Sequence, residues 1–567
     1  MSTSAFDELT REIEKQRISA GAAKMSRSSS IPDRMDSSSR RALYGSLPFT
    51  AMFGMQTRET QMRRVLSSVV SLESLGPDVV VERRLAGEDD EVQLEDLEMD
   101  HSVMTIPLIM AVLTATSSQF LVGYNTSVMN GASEVVFPDH SVLLWSIVVA
   151  SFAVGGPFGA IGGGILANKR GRRGAMMFNA WVFLVGGITM ALAPNVYWLI
   201  PARLICGFAS GLASVVVPVY LGEVAPPTLR GALGTLTQFA LVIGILVSIV
   251  FSIPLLNVET WRFQFAVTPI LAVVQLLISP FLLESPRWLV GRNRNSKYAR
   301  VVIKRLRGLR SEEEVEYEAQ NYIYAHDQFK TQYSSAHSME AYWDLLTNPQ
   351  VRLLLVSAIL LQMAQQLCGI NAVFYYSSSF FGGTLHDPRM GSAIVALVNV
   401  VATYVALKLM DTTARRTLLI VSSGGMLVSA AFVIAGLLQW LPPWAALLAV
   451  MSFVSFFEIG LGPIPWLIVA EMFDAKYVAT AMSISCIVNW SCNFLVGVSF
   501  PTMHKAFGPM SFVPFMVVLL ITLVYVIVEL PETHGRTLEE VQRLARSSAL
   551  KIPGSSRRSN GLSSANV

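Results

Sequence analysis

From about Met104 to Leu530 the chain runs through one apolar stretch after another, roughly 427 residues with only one long polar break. That feature removes most folds from consideration. A helix that crosses a bilayer needs ~20 apolar residues and its connection about 15 more, so the stretch holds about twelve crossings. The apolar runs are continuous rather than alternating, which excludes a transmembrane β-barrel. Charged residues make up only 15% of the chain and hydrophobic residues 52%, against ~25% charge in soluble domains, so a water-soluble enzyme is excluded. The reading is an all-α membrane protein and not an enzyme, with helices centred near residues 113, 152, 185, 211, 244, 272, 361, 400, 427, 458, 489 and 520.

Five regions follow along the chain. Residues 1–103 form a polar, Ser-rich N-terminal extension, expected to be mostly disordered; it has no apolar core of a signal peptide. Residues 104–290 hold six helices, 291–350 a polar linker expected to form short surface helices, 351–530 six more helices, and 531–567 a polar tail. The two halves repeat each other. Gly171-Arg172-Arg173, Glu223 and Glu284-Ser285-Pro286-Arg287 in the first half recur about 245 residues later, in the same order, as Ala414-Arg415-Arg416, Glu471 and Pro531-Glu532-Thr533. Duplicated six-helix units in parallel orientation place a binding site at mid-membrane between them. The charged clusters are two helices apart, so they share one face. That face also carries Lys169, Arg170, Arg230 and Lys476, whereas the opposite loops carry only Arg262, Arg389 and Lys505. The positive-inside bias makes the charged face, and both termini, cytoplasmic.

The net charge of +3, from 43 basic and 40 acidic residues, gives no reason to expect nucleic acid. Cys206, Cys368, Cys486 and Cys492 lie in apolar runs and read as small buried hydrophobes. No metal-ligand spacing appears, and no Gly-Lys-Ser or Gly-Lys-Thr follows the glycine runs, so neither a metal, a cofactor nor ATP is expected. The pairs Gly155/Gly159 and Gly207/Gly211 read as close-packing positions between helices. The seven histidines are expected in loops or tails.

Polar side chains in spanning helices are costly and point to function. They are Gln238 in helix 5; Gln362, Gln365, Gln366 and Asn371 in helix 7; Asn399 in helix 8; Glu458 in helix 10; and Asn489 and Asn493 in helix 11, with Trp466 and Trp490 among the later helices. Neutral amides donate and accept, and with an indole face they suit an uncharged polyhydroxylated ligand. The competing role is glue between helices. Gln365 and Gln366 are ~100° apart on a helix, so a single helix contact is not expected to use both. Gly369 is expected to break helix 7 and let Asn371 turn into the same cavity.

The motifs carry a resemblance. Gly123-Tyr124-Asn125-Thr126, Asn168 to Arg173, Pro218 to Glu223, Glu284 to Arg287, Gln365 to Tyr376, Gly462 to Trp466, Asn489-Trp490 and Pro531 to Thr537 resemble the sugar porter branch of the major facilitator superfamily, especially facilitative glucose transporters. The long N-terminal extension looks like that of protozoan, apicomplexan-type hexose transporters. The resemblance implies twelve helices in two six-helix parallel repeats and facilitated diffusion of a hexose by alternating access, in a monomeric transport unit of the plasma membrane. It implies sugar contacts at Gln238, Gln365, Gln366, Asn371, Asn399, Glu458, Trp466 and Asn493, a cavity lined by Ile245 and Ile370, gates at Tyr375 and Tyr376, and Trp490 in the cavity wall. It also implies a cytoplasmic latch pairing Arg172, Arg173 and Arg230 with Glu223, and Arg415 and Arg416 with Glu471, with Glu284 and Arg287 in the same cluster. Proton-coupled members usually carry Asp at the position of Asn125, which favours uniport. Proton–hexose symport through Glu458 and a non-transporting sugar sensor stay open as alternatives. Met363-Ala364 and Val478 depart from the family pattern.

Overall fold

The computed structural model describes residues 104–544, apart from 227–228, 310, 334–337, 381–387, 474–476, 537–539 and 542. The expected disorder of the N-terminal extension and the reading of the tail beyond residue 544 lie outside the described residues.

Ten apolar runs among the described residues are long enough to span a bilayer, and two of them are double. Val142–Ala191 is one helical run of 50 residues, but Gly171 at φ 84, ψ 170 turns the chain back on itself. It divides the run into α2 and α3. The second double run, Thr480–Val528, contains α11 (Val478–Phe507), a short 3₁₀ turn and α12 (Val513–Val528). The crossings therefore number twelve. The others are α1 (Ile106–Ser127), α4 (Val196–Val224), α5 (Arg230–Leu255), α6 (Trp261–Ile278), α8 (Pro388–Thr412) and α9 (Arg415–Leu437), together with two broken helices. These are α7, made of Pro349–Leu367 and Ile370–Phe380, and α10, made of Pro443–Ile459 and Ile464–Met472. Between α6 and α7 lie four helices, Pro286–Arg292, Lys297–Arg307, Glu312–Tyr333 and Ser338–Thr347.

Local chemistry sets the ends. Thr105, Ser141 and Asn195 cap α1, α2 and α4, their side chains accepting from Leu108, Leu144 and Tyr197, which satisfies donors that a helix start leaves without partners. Pro157, Pro201, Pro218, Pro254, Pro269 and Pro501 sit inside helices, where neighbouring helices in a bundle can re-satisfy the freed carbonyls.

The two halves pack alike: α1 lies on α5 as α7 lies on α11, and α8 meets α10 in the place where α2 meets α4. Glycine makes the α2–α4 approach possible. A Cβ on Gly155 or Gly159 would lie 2.2 or 1.9 Å from a backbone oxygen of α4, and one on Gly207 or Gly211 would lie 1.9 Å from a backbone oxygen of α2. The halves meet where α11 crosses α2 and where α8 lies along α5. A Cβ on Gly156 would lie 2.2 Å from the Trp490 ring, and Gly497 faces Ala150. His504, expected in a loop, is in the last turn of α11, which runs on past the apolar core that marked its end in the sequence; His326 lies in a polar linker helix.

Candidate functional site

The polar residues of α7 converge on one side chain of α11. Asn489 donates through Nδ2 to Gln362 Oε1 (2.7 Å) and Gln365 Oε1 (2.6 Å), and accepts at Oδ1 from Gln366 Nε2 (3.0 Å). Gln366 in turn accepts from Asn371 Nδ2 across the Gly369 break, where the backbone adopts φ 93. The remaining amide hydrogens serve the break in α10: Gln362 donates to Pro465 O (3.0 Å) and Gln365 to Gly462 O (2.5 Å). All five amide side chains are buried. One turn further along, Tyr375 donates to Asn493 Oδ1 (2.9 Å). The expectation that Gln365 and Gln366 could not serve one helix contact is corrected: Asn489 is both donor and acceptor, and its two ends reach both residues.

A second polar group lies where the halves touch. Glu458 of α10, 2% exposed, lies beside Thr403 of α8 and Gln238 of α5 in the other half. Its Oε2 has no partner. Thr403 donates its hydroxyl hydrogen to the backbone oxygen of Asn399 (2.8 Å). Asn399 is fully buried, and neither end of its amide is hydrogen-bonded. A buried amide without partners costs more than a hydrogen bond contributes; Asn179 of α3 is in the same condition. Ile245 and Ile370 lie in one apolar cluster although they come from different halves. Trp490 and Tyr375 are in another, with the half-buried Trp466 packed against it. The side chain of Tyr376 lies outside the described residues.

At one end of the bundle the repeat appears as two matching knots. Arg172 donates through Nη2 and Nε to Glu223 (2.7 and 2.8 Å), and its backbone N–H goes to Glu284 Oε1 (2.8 Å). Arg415 donates to Glu471 (3.2 Å twice), and its backbone N–H goes to Glu532 Oε1 (2.8 Å). Each arginine also donates to a carbonyl five residues back, Ala167 or Met410. Both knots close within their own half. The expected roles of the second arginines are corrected. Arg416 does not reach Glu471; it donates to Val526 O (3.0 Å) and Ile527 O at the end of α12, satisfying carbonyls that have no intrahelical donor. Arg173 meets Glu284 through its backbone N–H (3.2 Å) rather than Glu223. Arg287 is exposed and enters none of these bonds. The side chain of Arg230, and Lys476, lie outside the described residues. Gly171 is required here because a Cβ would lie 2.1 Å from Glu284 Oε2.

Residues 110–545 match the model of the family described as "Sugar (and other) transporter". The chain belongs to the sugar transporter family. Among curated relatives of this family, facilitated glucose transporter member 3 of solute carrier family 2 from Ovis aries is 36% identical over 471 residues, covering 78% of this chain and 94% of the relative. Among solved structures, the inward open conformation of the xylose transporter XylE from E. coli superposes with a TM-score of 0.65 at 26% identity, over 76% of this chain and 98% of that one. The proton:xylose symporter XylE bound to 6-bromo-6-deoxy-D-glucose gives 0.63 at 26% identity, over 77% and 98%. The sugar transporter fold here is thus the major facilitator arrangement of twelve helices in two six-helix repeats, and the chain is a multi-pass membrane protein.

Two residues of this sugar transporter were singled out as intramembrane amides in the sequence without being assigned to the site: Gln362 and Asn489. The signal was present, since Asn489 stands in an apolar run and Gln362 is one turn before Gln366. What the sequence lacks is the register of α11 against α7, which makes Asn489 the centre.

Proposed function

We propose that this sugar transporter carries a hexose of the glucose type down its gradient by alternating access, as a monomeric uniporter of the plasma membrane with both termini and the Arg–Glu knots in the cytoplasm. The observation that carries the reading is Asn399, a fully buried amide with both ends unpartnered, with the buried carboxyl of Glu458 and Gln238 of the other half nearby. A sugar hydroxyl both donates and accepts, and it answers such an amide and the open oxygen of Glu458 together. Gln238, Gln365, Gln366, Asn371, Asn399, Glu458, Trp466 and Asn493 form the binding set. Ile245, Ile370 and Trp490 wall it, and Tyr375 and Tyr376 gate it. The Asn489 network is the preformed frame: a sugar binds by taking over amide hydrogens and lone pairs that helix carbonyls and neighbouring amides hold when it is absent.

Uniport is supported by Asn125, which is fully buried and cannot titrate; its Nδ2 donates to Leu121 O (2.9 Å). A second reading, proton-coupled symport, is favoured by one observation, the carboxyl group of Glu458 inside the membrane. Uptake of labelled glucose by purified protein in liposomes separates the two. Uniport requires that a protonophore leave the initial rate unchanged and that unlabelled hexose compete. Accumulation against the sugar gradient under an imposed pH gradient would replace uniport by symport, and absence of any uptake would defeat the transport reading.

A further inference from the structure

Three cations stand on the face opposite the knots: Arg262, Arg389 and Lys505. The positive-inside bias leaves them without a reason, and the structure supplies one for the two arginines. Arg262, in the first turn of α6, donates through Nη1 to Ala191 O (2.9 Å) and Ala193 O (3.0 Å) at the end of α3, with its guanidinium 4.3 Å from the Trp261 ring centroid. It caps a helix of its own half. Arg389, in the first turn of α8, applies the same chemistry across the interface. Its Nη1 donates to Ser252 O (3.2 Å) and Leu256 O (3.1 Å) at the end of α5, which belongs to the other half.

The last carbonyls of a helix lack intrahelical donors and carry the negative end of the helix dipole. On α5 the neighbouring chain satisfies some of them: Leu255 O accepts from Thr260 Oγ1 (2.8 Å), and Pro254 O from Asn257 Nδ2 (3.2 Å). Leu256, at the C-cap, is 2% exposed, and its carbonyl takes its donor from Arg389 in the opposite half. Trp490 over Gly156 and Gly497 against Ala150 are packing contacts between the halves, which can slide. A guanidinium held on two carbonyls fixes both distance and direction.

We propose that Arg389 is a positioning residue for the conformational step of transport: a clasp between α8 and the end of α5 that favours the state in which the outer halves are closed. This rests on the transport reading above. Opening of the outer side pulls the guanidinium away from the α5 carbonyls and returns both to water. Removing the clasp therefore shifts the balance toward the outward-open state, by about two- to tenfold for a cation at a partly buried helix C-terminus.

The test uses the full chain in liposomes with a reporter, Ala150→Cys, placed in the outer contact of α2 with Gly497. Its labelling by a membrane-impermeant thiol reagent from outside is measured against the background of the four buried native cysteines. Arg389→Gln should label two- to tenfold faster than the parent reporter, and Arg389→Lys, which keeps the charge, should restore much of the parental rate. Arg262→Gln serves as control: it also removes a helix cap, so it should lower the melting temperature without changing the labelling. If Arg389→Gln lowers the melting temperature but labels at the parental rate, Arg389 is an ordinary cap and the proposal fails. If Arg389→Gln does not fold, Arg389→Met, which keeps the apolar stem and removes the donors, takes its place, and parental labelling in that variant overturns the proposal equally. Labelling requires no sugar, so a parent that labels normally but moves no hexose defeats the transport reading alone.

Discussion

Gln366 of α7 and Asn489 of α11 are joined by a hydrogen bond of 3.0 Å, and Asn489 also donates to Gln362 and Gln365, so three glutamines of α7 share a single residue of another helix. The two residues therefore differ in what their removal does.

Gln366→Ala takes one donor from Asn489 Oδ1 and the acceptor from Asn371 Nδ2. The protein should still fold, because Asn489 keeps its two bonds to Gln362 and Gln365. Hexose affinity should fall by about 1–3 kcal/mol, roughly 5- to 150-fold. Asn489→Ala, which leaves three glutamines short of partners, should lower the melting temperature more. Binding of hexose to purified variants, beside a thermal melt, decides. Near-parental affinity in folded Gln366→Ala would make that residue packing glue.

Asn399→Leu exchanges a buried, unpartnered amide for an apolar side chain of similar size. A purely structural residue in that condition is improved by the change. The expected result is a melting temperature equal to or above the parent's, with hexose binding weakened at least tenfold, on the order of one charged or multiple hydrogen bonds. A variant that melts lower and binds normally would remove Asn399 from the site.

Glycines in α2 and α4 should separate folding from conformational balance. Gly207→Ala drives a Cβ to 1.9 Å from the backbone oxygen of Phe152 within one half; backbone cannot step aside, and the folded yield should drop, as overpacking costs about 1–3 kcal/mol or more. Gly156→Ala meets the Trp490 ring of the opposite half instead. The halves can part there, so the folded protein should show faster labelling from outside at Ala150→Cys. Equal loss of yield in both variants would contradict this division.

Glu284 gives the pH dependence. Burial raises its carboxyl above the usual 4.5, opposed by the N–H groups of Ser285, Arg173 and Arg172 and by the charge of Arg172. A folded-state value above the unfolded one means that its stabilising contribution is complete below about pH 4.5 and is lost as pH rises through the raised value. All three N–H groups point to Oε1, which an amide oxygen can replace. Glu284→Gln should therefore melt at or above the parental temperature at pH 7 and flatten the profile between pH 4.5 and 7. A marked fall at pH 7 would show that the charge is needed beside Arg172.

The twelve crossings were legible in the sequence because each is an apolar run of bilayer length, and the broken α7 because Gly369 stands between two polar clusters. The knots were legible as residue types, since Arg-Arg and Glu recur in order, but not as pairs. Whether Arg416 turns to Glu471 or to the end of α12 depends on how α9 and α12 are rotated, which no local spacing encodes. Arg389 illustrates the same limit from the other side. It was expected in a loop and stands in the first turn of α8, and its acceptors are backbone oxygens, which are identical at every position of a sequence.

The matching knots have a consequence for the chain as a polymer. Arg172, Glu223 and Glu284 all precede the linker, and Arg415, Glu471 and Glu532 all follow it. A chain severed between the halves would leave each fragment with its own complete set. The two pieces, made as separate polypeptides in one membrane, are then expected to recombine by lateral diffusion, with yield governed by their surface density.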